Sequence, residues 1–403
     1  LPERKMKIAL ITQNIKDPIN FSSHFLNNLS LIIKEKFNIF LFTDTDKPLL
    51  TNYNTKQYNF ISPRIKRSNH INLSVTDVNN IKKQINVYKK LGRKHNIWTL
   101  VTDYIDISEF YRKNFIEIRP DVLIVWNGIT HSFQTAAVEV AKSFDIPVIF
   151  LERGLIPGSI FYDFQGVNAE SEIGQNQQWQ QQESLLTDKD IFNNIRKIII
   201  ETGGGLVAEK VTRSTLLKQN YIFFPLQRDT DSNMLFNSPY VKNMYSILNG
   251  LNNWCHKNTN IPKILVRPHP EDPNTHYTKH MNFENLTIQS DGALLETIQK
   301  ANAIMTVNST VGFTSLILDK VVIALGKSIY NNRELCIEPK NMNELYATLN
   351  CPNDWILNSY MREKRKDFVS KVIANSHISF QHNIFLDIQL LALKNKIYSK
   401  ILL

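Results

Sequence analysis

Short apolar segments of strand length alternate with longer segments of helical periodicity along most of this 403-residue chain, and that alternation limits the fold more than any single motif. Residues 6–12 (MKIALIT) read as a buried first strand, 23–36 as a helix and 38–43 as a second strand. Residues 74–94 and 100–115 carry helical periodicity, 122–128 (VLIVWNG) is a strong buried strand, 135–144 a helix and 147–151 a further strand. A helix over 188–201 runs into Gly203-Gly204-Gly205, which reads as a domain hinge. The pattern then restarts, with strands at 221–226, 263–266, 286–289, 303–307 and 321–325, and one or two terminal helices over 379–403. The expectation is an α/β protein of two doubly wound halves: residues 1–205, residues 206–378, and a C-terminal segment 379–403 packing back on the first half.

Composition narrows the class. Hydrophobic content of 42% and charged content of 21% are those of a globular protein with an ample core. Cys255, Cys336 and Cys351 have neither an even count nor metal-site spacing, which argues against a disulfide framework or a zinc site and for a reducing, cytoplasmic setting. The apolar part of the N-terminus is too short for a signal peptide, and no run approaches the ~20 residues that span a bilayer. The net charge of +10 is concentrated between Arg64 and Lys94, where Arg64, Lys66, Arg67, Lys82, Lys83, Lys89, Lys90, Arg93 and Lys94 face Asp77 alone. A solvated helical face is the plain reading; attraction to anionic lipid or an acidic glycan is the functional one. Nucleic acid ranks last, because neither a recognition motif nor an aromatic platform accompanies the charge.

Four stretches carry chemistry. In Ile264-Leu265-Val266-Arg267-Pro268-His269-Pro270 an apolar strand delivers Arg267 and His269 between two prolines, a stiff arm at a strand's carboxyl end where ligands of such sheets collect. In Val307-Asn308-Ser309-Thr310-Val311-Gly312 a strand gives way to a helix start, either an anion site or a simple N-cap. Phe224-Pro225-Leu226-Gln227-Arg228-Asp229-Thr230-Asp231 places two carboxylates after the first strand of the second half. Asp44-Thr45-Asp46, the same short pattern, reads as a turn. Glu152-Arg153-Gly154-Leu155-Ile156-Pro157-Gly158 closes a strand of the first half and leads to Phe164-Gln165-Gly166-Val167-Asn168. Two carboxylates facing one substrate are what acid/base or nucleophilic sugar chemistry requires. The glutamine-rich segment 175–182 yields no chemistry.

Together with residues 322–330 (VIALGKSIY), these motifs resemble the capsule-polysaccharide-biosynthesis family of bacterial retaining β-Kdo transferases over roughly residues 120–330. The resemblance implies a GT-B-like fold of two Rossmann-like domains facing a central cleft. It also implies CMP-β-Kdo as donor, a lipid-linked or oligosaccharide acceptor, and work beside other polysaccharide-assembly modules at the inner membrane. No metal is required. On this reading Arg267 and His269 bind or protonate the CMP phosphate, and Ser309 and Thr310 complete its cradle beside Asn308 and Gln227. Asp231 is the nucleophile or ion-stabilising carboxylate and Glu152 the acid/base. The family carries an arginine before the proline where this chain has Leu155-Ile156-Pro157, so the Kdo carboxylate falls to Arg153 or Lys327. The alternatives are another CMP- or CDP-dependent transferase, of sialic acid or a teichoic-acid-type polyol phosphate, and a non-catalytic sugar-nucleotide-binding module.

Overall fold

The structure is a computed structural model that describes residues 5–11, 16–33, 37–43, 55–60, 73–90, 96–181, 189–205, 220–258, 262–272 and 283–402. The chain divides into two compact units. The first comprises residues 1–154, 159–172 and 374–403, and the second 155–158 and 173–373.

The first unit is built on a seven-stranded sheet of order β12-β6-β5-β4-β1-β2-β3. Its strands are β1 (Lys7–Ile11), β2 (Asn38–Thr43), β3 (Thr55–Asn59), β4 (Val122–Trp126), β5 (Val148–Arg153), β6 (Ser159–Asp163) and β12 (His377–Ser379). The run β3-β2-β1-β4-β5 is wholly parallel, and β6 and β12 extend it in antiparallel pairs. Strands buried on both faces should be apolar throughout rather than alternating. They are: Ile8, Leu10, Ile124 and Ile149 pack into one core, while Ala9, Ile11, Val125 and Phe150 pack into the other. Leu393 and Ile397 of the Leu386–Ile397 helix join the first of these cores, so the C-terminal segment is integral to this unit.

The second unit repeats the arrangement with a five-stranded parallel sheet of order β11-β10-β7-β8-β9. Its strands are β7 (Tyr221–Pro225), β8 (Lys263–Arg267), β9 (Thr287–Ile288), β10 (Ala303–Thr306) and β11 (Val321–Ala324). Both sheets therefore carry the Rossmann order, in which the direction of winding reverses beside the first strand: between β1 and β4 in one unit and between β7 and β10 in the other. The expected α/β class and the two Rossmann-like units are present.

Differences from the sequence reading have local causes. The chain leaves the first unit at residues 172–173, ahead of the triple glycine. Those glycines end the Lys189–Glu201 helix instead: Gly203 and Gly204 hold φ of 78° and 82°, Gly204 N donates to Ile199 O, and Gly203 O accepts from Leu295 N. A left-handed helix stop uses glycine for the same conformational freedom that a hinge would. Strand β6 was not anticipated, because its five residues follow β5 after a tight reversal and leave only a short apolar signal.

Candidate functional site

In the second unit the carboxyl ends of β7, β8 and β10 are neighbours, and the sheet's reversal of winding lies between β7 and β10. Buried Gln227 and Asn308 extend those two strands and grip one another. Gln227 Nε2 donates to Asn308 Oδ1 at 2.9 Å, and Asn308 N donates to Gln227 Oε1 at 3.1 Å. Asn308 Nδ2 donates to Asn233 O and Asn237 O at 3.0 and 3.1 Å, which ties the short Ser232–Phe236 helix to the sheet. Gln227 and Asn308, expected to touch the donor, spend these groups on one another and on the adjoining helix, and so brace the strand ends.

Arg267 also differs from expectation. On β8 it shares a face with Leu265, opposite the core that takes Ile264 and Val266. Its guanidinium is buried, donates through Nη2 to Asp291 O and Thr297 Oγ1 at 2.9 Å each, and lies 5.5 Å from the Phe223 ring centroid. These contacts clamp the Leu294–Lys300 helix to the sheet and draw the charge away from the arm it was expected to arm.

The cation that does stand with the strand ends is Arg228, which the motif reading passed over although it follows Gln227 directly. Arg228 Nη1 lies 3.8 Å from Glu271 Oε2, and Glu271 N donates to His269 Nδ1 at 3.1 Å. An imidazole that accepts at Nδ1 carries its proton at Nε2. Burial, followed by the Arg228 charge, holds His269 below the ordinary histidine range, against the opposing pull of Glu271, Asp231 and Asp272. Neutral His269 is thus a donor through Nε2 near pH 7.

Asp231 caps the Ser232–Phe236 helix, accepting from Asn233 N at 2.8 Å. Burial raises its pKa, and that hydrogen bond, Arg228 and His269 pull it back down. Asp229 accepts from Met244 N at 2.8 Å and anchors the start of the Met244–Lys257 helix, and it too is raised by burial. Asp231 is therefore the carboxylate that stands with Arg228 and His269, whereas Asp229 serves an adjacent helix.

Ser309 is the N-cap of the Thr310–Ile317 helix. Its Oγ accepts from Val311 N at 3.2 Å, and Thr310 follows at the first helical position. Gly312 is required here, since a Cβ would lie 2.2 Å from Tyr330 Oη, and that hydroxyl donates to Ser309 O at 3.3 Å. Ser309 and Thr310 remain partly exposed. Lys327 is exposed and held by its backbone, Lys327 N donating to Asn237 O at 2.7 Å.

Glu152 and Arg153 end β5 in the first unit. Glu152 Oε2 accepts from Asn127 Nδ2 at 2.8 Å, and Oε1 accepts from Arg153 N at 3.0 Å. Gly154 closes this strand because a Cβ there would come within 1.9 Å of Ser159 Oγ. Among the described residues no cluster of three or more His, Cys, Asp or Glu is arranged to hold a metal ion, and no helix is long and apolar enough to cross a membrane.

Comparison with known proteins finds a likeness over part of the chain. Residues 177–344, which include every second-unit position above, match the family model described as capsule polysaccharide biosynthesis protein. Protein FixF of Sinorhizobium fredii (strain NBRC 101917 / NGR234) is 25% identical over 255 residues, covering 62% of this chain and 58% of its own length. The chain thus spans little more than half of that relative. Among solved structures, the β-Kdo 2,7 transferase KpsC of Thermosulfurimonas dismutans aligns with a TM-score of 0.44 and 16% identity, over 80% of this chain and 97% of that one. A UDP-GlcNAc 2-epimerase of Methanocaldococcus jannaschii aligns with a TM-score of 0.39 and 13% identity, over 90% and 98%. Likeness at this level does not separate a transferase from an epimerase. The family model marks the segment of likeness: over residues 177–344 the chain is similar to the capsule polysaccharide biosynthesis proteins.

Proposed function

We propose that the protein is a retaining glycosyltransferase that moves Kdo from CMP-β-Kdo to a surface-polysaccharide glycan, with no metal ion. The observation that carries this reading is the grouping of Asp231, Arg228 and His269 at the ends of β7 and β8. An acid, a fixed cation and a neutral N–H donor on one sheet edge suit a sugar bonded to a phosphate. The departing CMP is a phosphate monoester, and charge-assisted hydrogen bonds in a low-dielectric site can stabilise it. Arg228, His269 Nε2 and the Ser309–Thr310 helix start supply those bonds in this reading.

Retention follows from two displacements at the sugar's anomeric carbon, or from a front-face route without a covalent intermediate; the placing of Asp231 favours the former in this reading. In the first displacement, an Asp231 carboxylate oxygen forms a bond to that carbon as the bond to the CMP oxygen breaks, and CMP leaves with the electron pair. In the second, an acceptor hydroxyl oxygen bonds to the carbon, the bond to Asp231 breaks to regenerate the carboxylate, and Glu152 takes the hydroxyl proton. Lys327 or Arg153 would pair with the Kdo carboxylate. The acceptor in this reading is lipid-linked or an oligosaccharide at the cytoplasmic face of the inner membrane, handled beside other assembly modules. Lys82, Lys83, Lys89 and Lys90, exposed on the Val75–Lys90 helix, would favour an anionic surface. The remaining residues of that basic run lie outside those described.

The test is a donor screen read by product mass, with wild type beside Asp231→Ala and His269→Ala. Kdo transfer by wild type, lost in Asp231→Ala, is the expected result. A sialic acid mass increment would reassign the donor, and turnover unchanged in both variants would defeat the site. No turnover of any CMP- or CDP-activated donor would leave a binding module.

A further inference from the structure

Apart from the donor-side cluster, a closely built polar group stands in the first unit where β4 and β5 end side by side. Trp126 pairs with Leu151 in the sheet register, so Asn127, the first residue past β4, stands beside Glu152, which β5 still carries in its pairing with Phe161 of β6. Asn127 N donates to Leu151 O at 2.8 Å, and Asn127 takes a left-handed φ of 62°, followed by Gly128 at 79°. Asparagine tolerates that region better than most residues, and such backbone recurs at functional sites.

The amide orientation is fixed by its partners. Thr130 Oγ1 and Ile129 N donate to Asn127 Oδ1 at 2.6 and 3.2 Å, so the other end of the side chain is Nδ2. That group donates to Glu152 Oε2 at 2.8 Å, while Arg153 N donates to Oε1 at 3.0 Å. Closing the turn needs only an acceptor oxygen, which aspartate or serine would also provide. Only the carboxamide adds a donor, and it is aimed at a partly exposed carboxylate on the neighbouring strand.

We propose that Asn127 is the positioning residue for Glu152 in the transfer reaction, holding one carboxylate oxygen and keeping the group ionised to receive the acceptor's proton. The inference rests on the reading of Glu152 as the acid/base. A hydrogen bond to a carboxylate favours its charged form, so losing it raises the pKa of Glu152. Asn127→Gly keeps the backbone conformation and removes the donor. Asn127→Asp keeps the acceptor for Ile129 and Thr130 and sets a like charge against Glu152, which raises the pKa further.

Two readouts separate the inference from the reading beneath it. The first needs no substrate: carboxyl carbon NMR titration of protein labelled at glutamate, with Glu152→Gln identifying the resonance. Its pKa should rise by about one unit in Asn127→Gly and by more in Asn127→Asp. The second is CMP release from CMP-Kdo, with water as acceptor, across pH. Here the acid limb should move up by the same amount, so that turnover at its foot falls about tenfold with little change in KM. An unmoved Glu152 resonance in both variants overturns the proposal, as does a moved resonance with an unmoved acid limb. Wild-type turnover in Glu152→Gln instead removes the acid/base reading of Glu152.

Discussion

Asp231 meets two opposing demands. As a helix cap it gains from accepting the Asn233 N–H, yet burial lifts its pKa above the ordinary carboxylate value of about 3.9. A group whose folded pKa is raised favours its protonated form. Its stabilising contribution is present below the unfolded pKa and is lost as pH rises through the folded one. At neutral pH the ionised Asp231 is therefore a strained choice, of the kind retained where function needs it. Asp231→Asn, which preserves an acceptor for the cap, should raise Tm near pH 7 in a thermal melt while removing turnover. If Asp231 is the nucleophile it must be ionised, so the proposed glycosylation step should fail on acidification at a higher pH than an ordinary carboxylate would allow. Arg228 pulls the Asp231 pKa down. Arg228→Gln should therefore move the acid limb of the pH–rate profile to higher pH and raise KM for the donor. An unmoved limb would show that the two side chains do not act together.

At the scale of elements, the proposed donor-side cluster depends on a frame of buried hydrogen bonds. The Gln227–Asn308 grip aligns β7 with β10 and anchors the Ser232–Phe236 helix whose cap is Asp231. Asn308→Ala would strand buried partners, at about 1–3 kcal/mol for each one left unsatisfied, measurable by denaturant unfolding. Gly312→Ala would drive a methyl group into Tyr330, at a cost of about 1–3 kcal/mol, and should weaken donor binding by shifting the Ser309 cap. Much of this framework was legible in the sequence. Strands buried on both faces are written as continuous apolar runs, so β1, β4, β5, β7 and β8 stood out. What could not be read was which way a polar side chain turns at a strand's end. Arg267 and His269 share one motif, but the sheet face assigns Arg267 to Thr297 and leaves His269 beside Arg228. Asn127 was equally hidden, since its link to Glu152 exists only through strand pairing.

For the whole molecule, one Rossmann-type topology serves twice, and the polar groups of each unit collect at the strand ends beside its reversal of winding. Exposed Trp98 opens the Ile97–Ile118 helix after the lysine-bearing Val75–Lys90 helix, and in the proposed docking on an anionic membrane the two would supply an interfacial aromatic and charge. Replacing Lys82, Lys83, Lys89 and Lys90 with glutamine should weaken sedimentation with phosphatidylserine-containing liposomes, and unchanged association would discard that surface. Transfer should persist in excess EDTA if protein donors alone stabilise the departing phosphate. The most direct measurement of the central claim is intact-protein mass after CMP-Kdo is added without acceptor. A covalent increment of one Kdo residue on wild type, absent from Asp231→Ala, is the expected result. No increment on wild type while CMP is released and Kdo is transferred on adding acceptor would contradict the covalent route through Asp231.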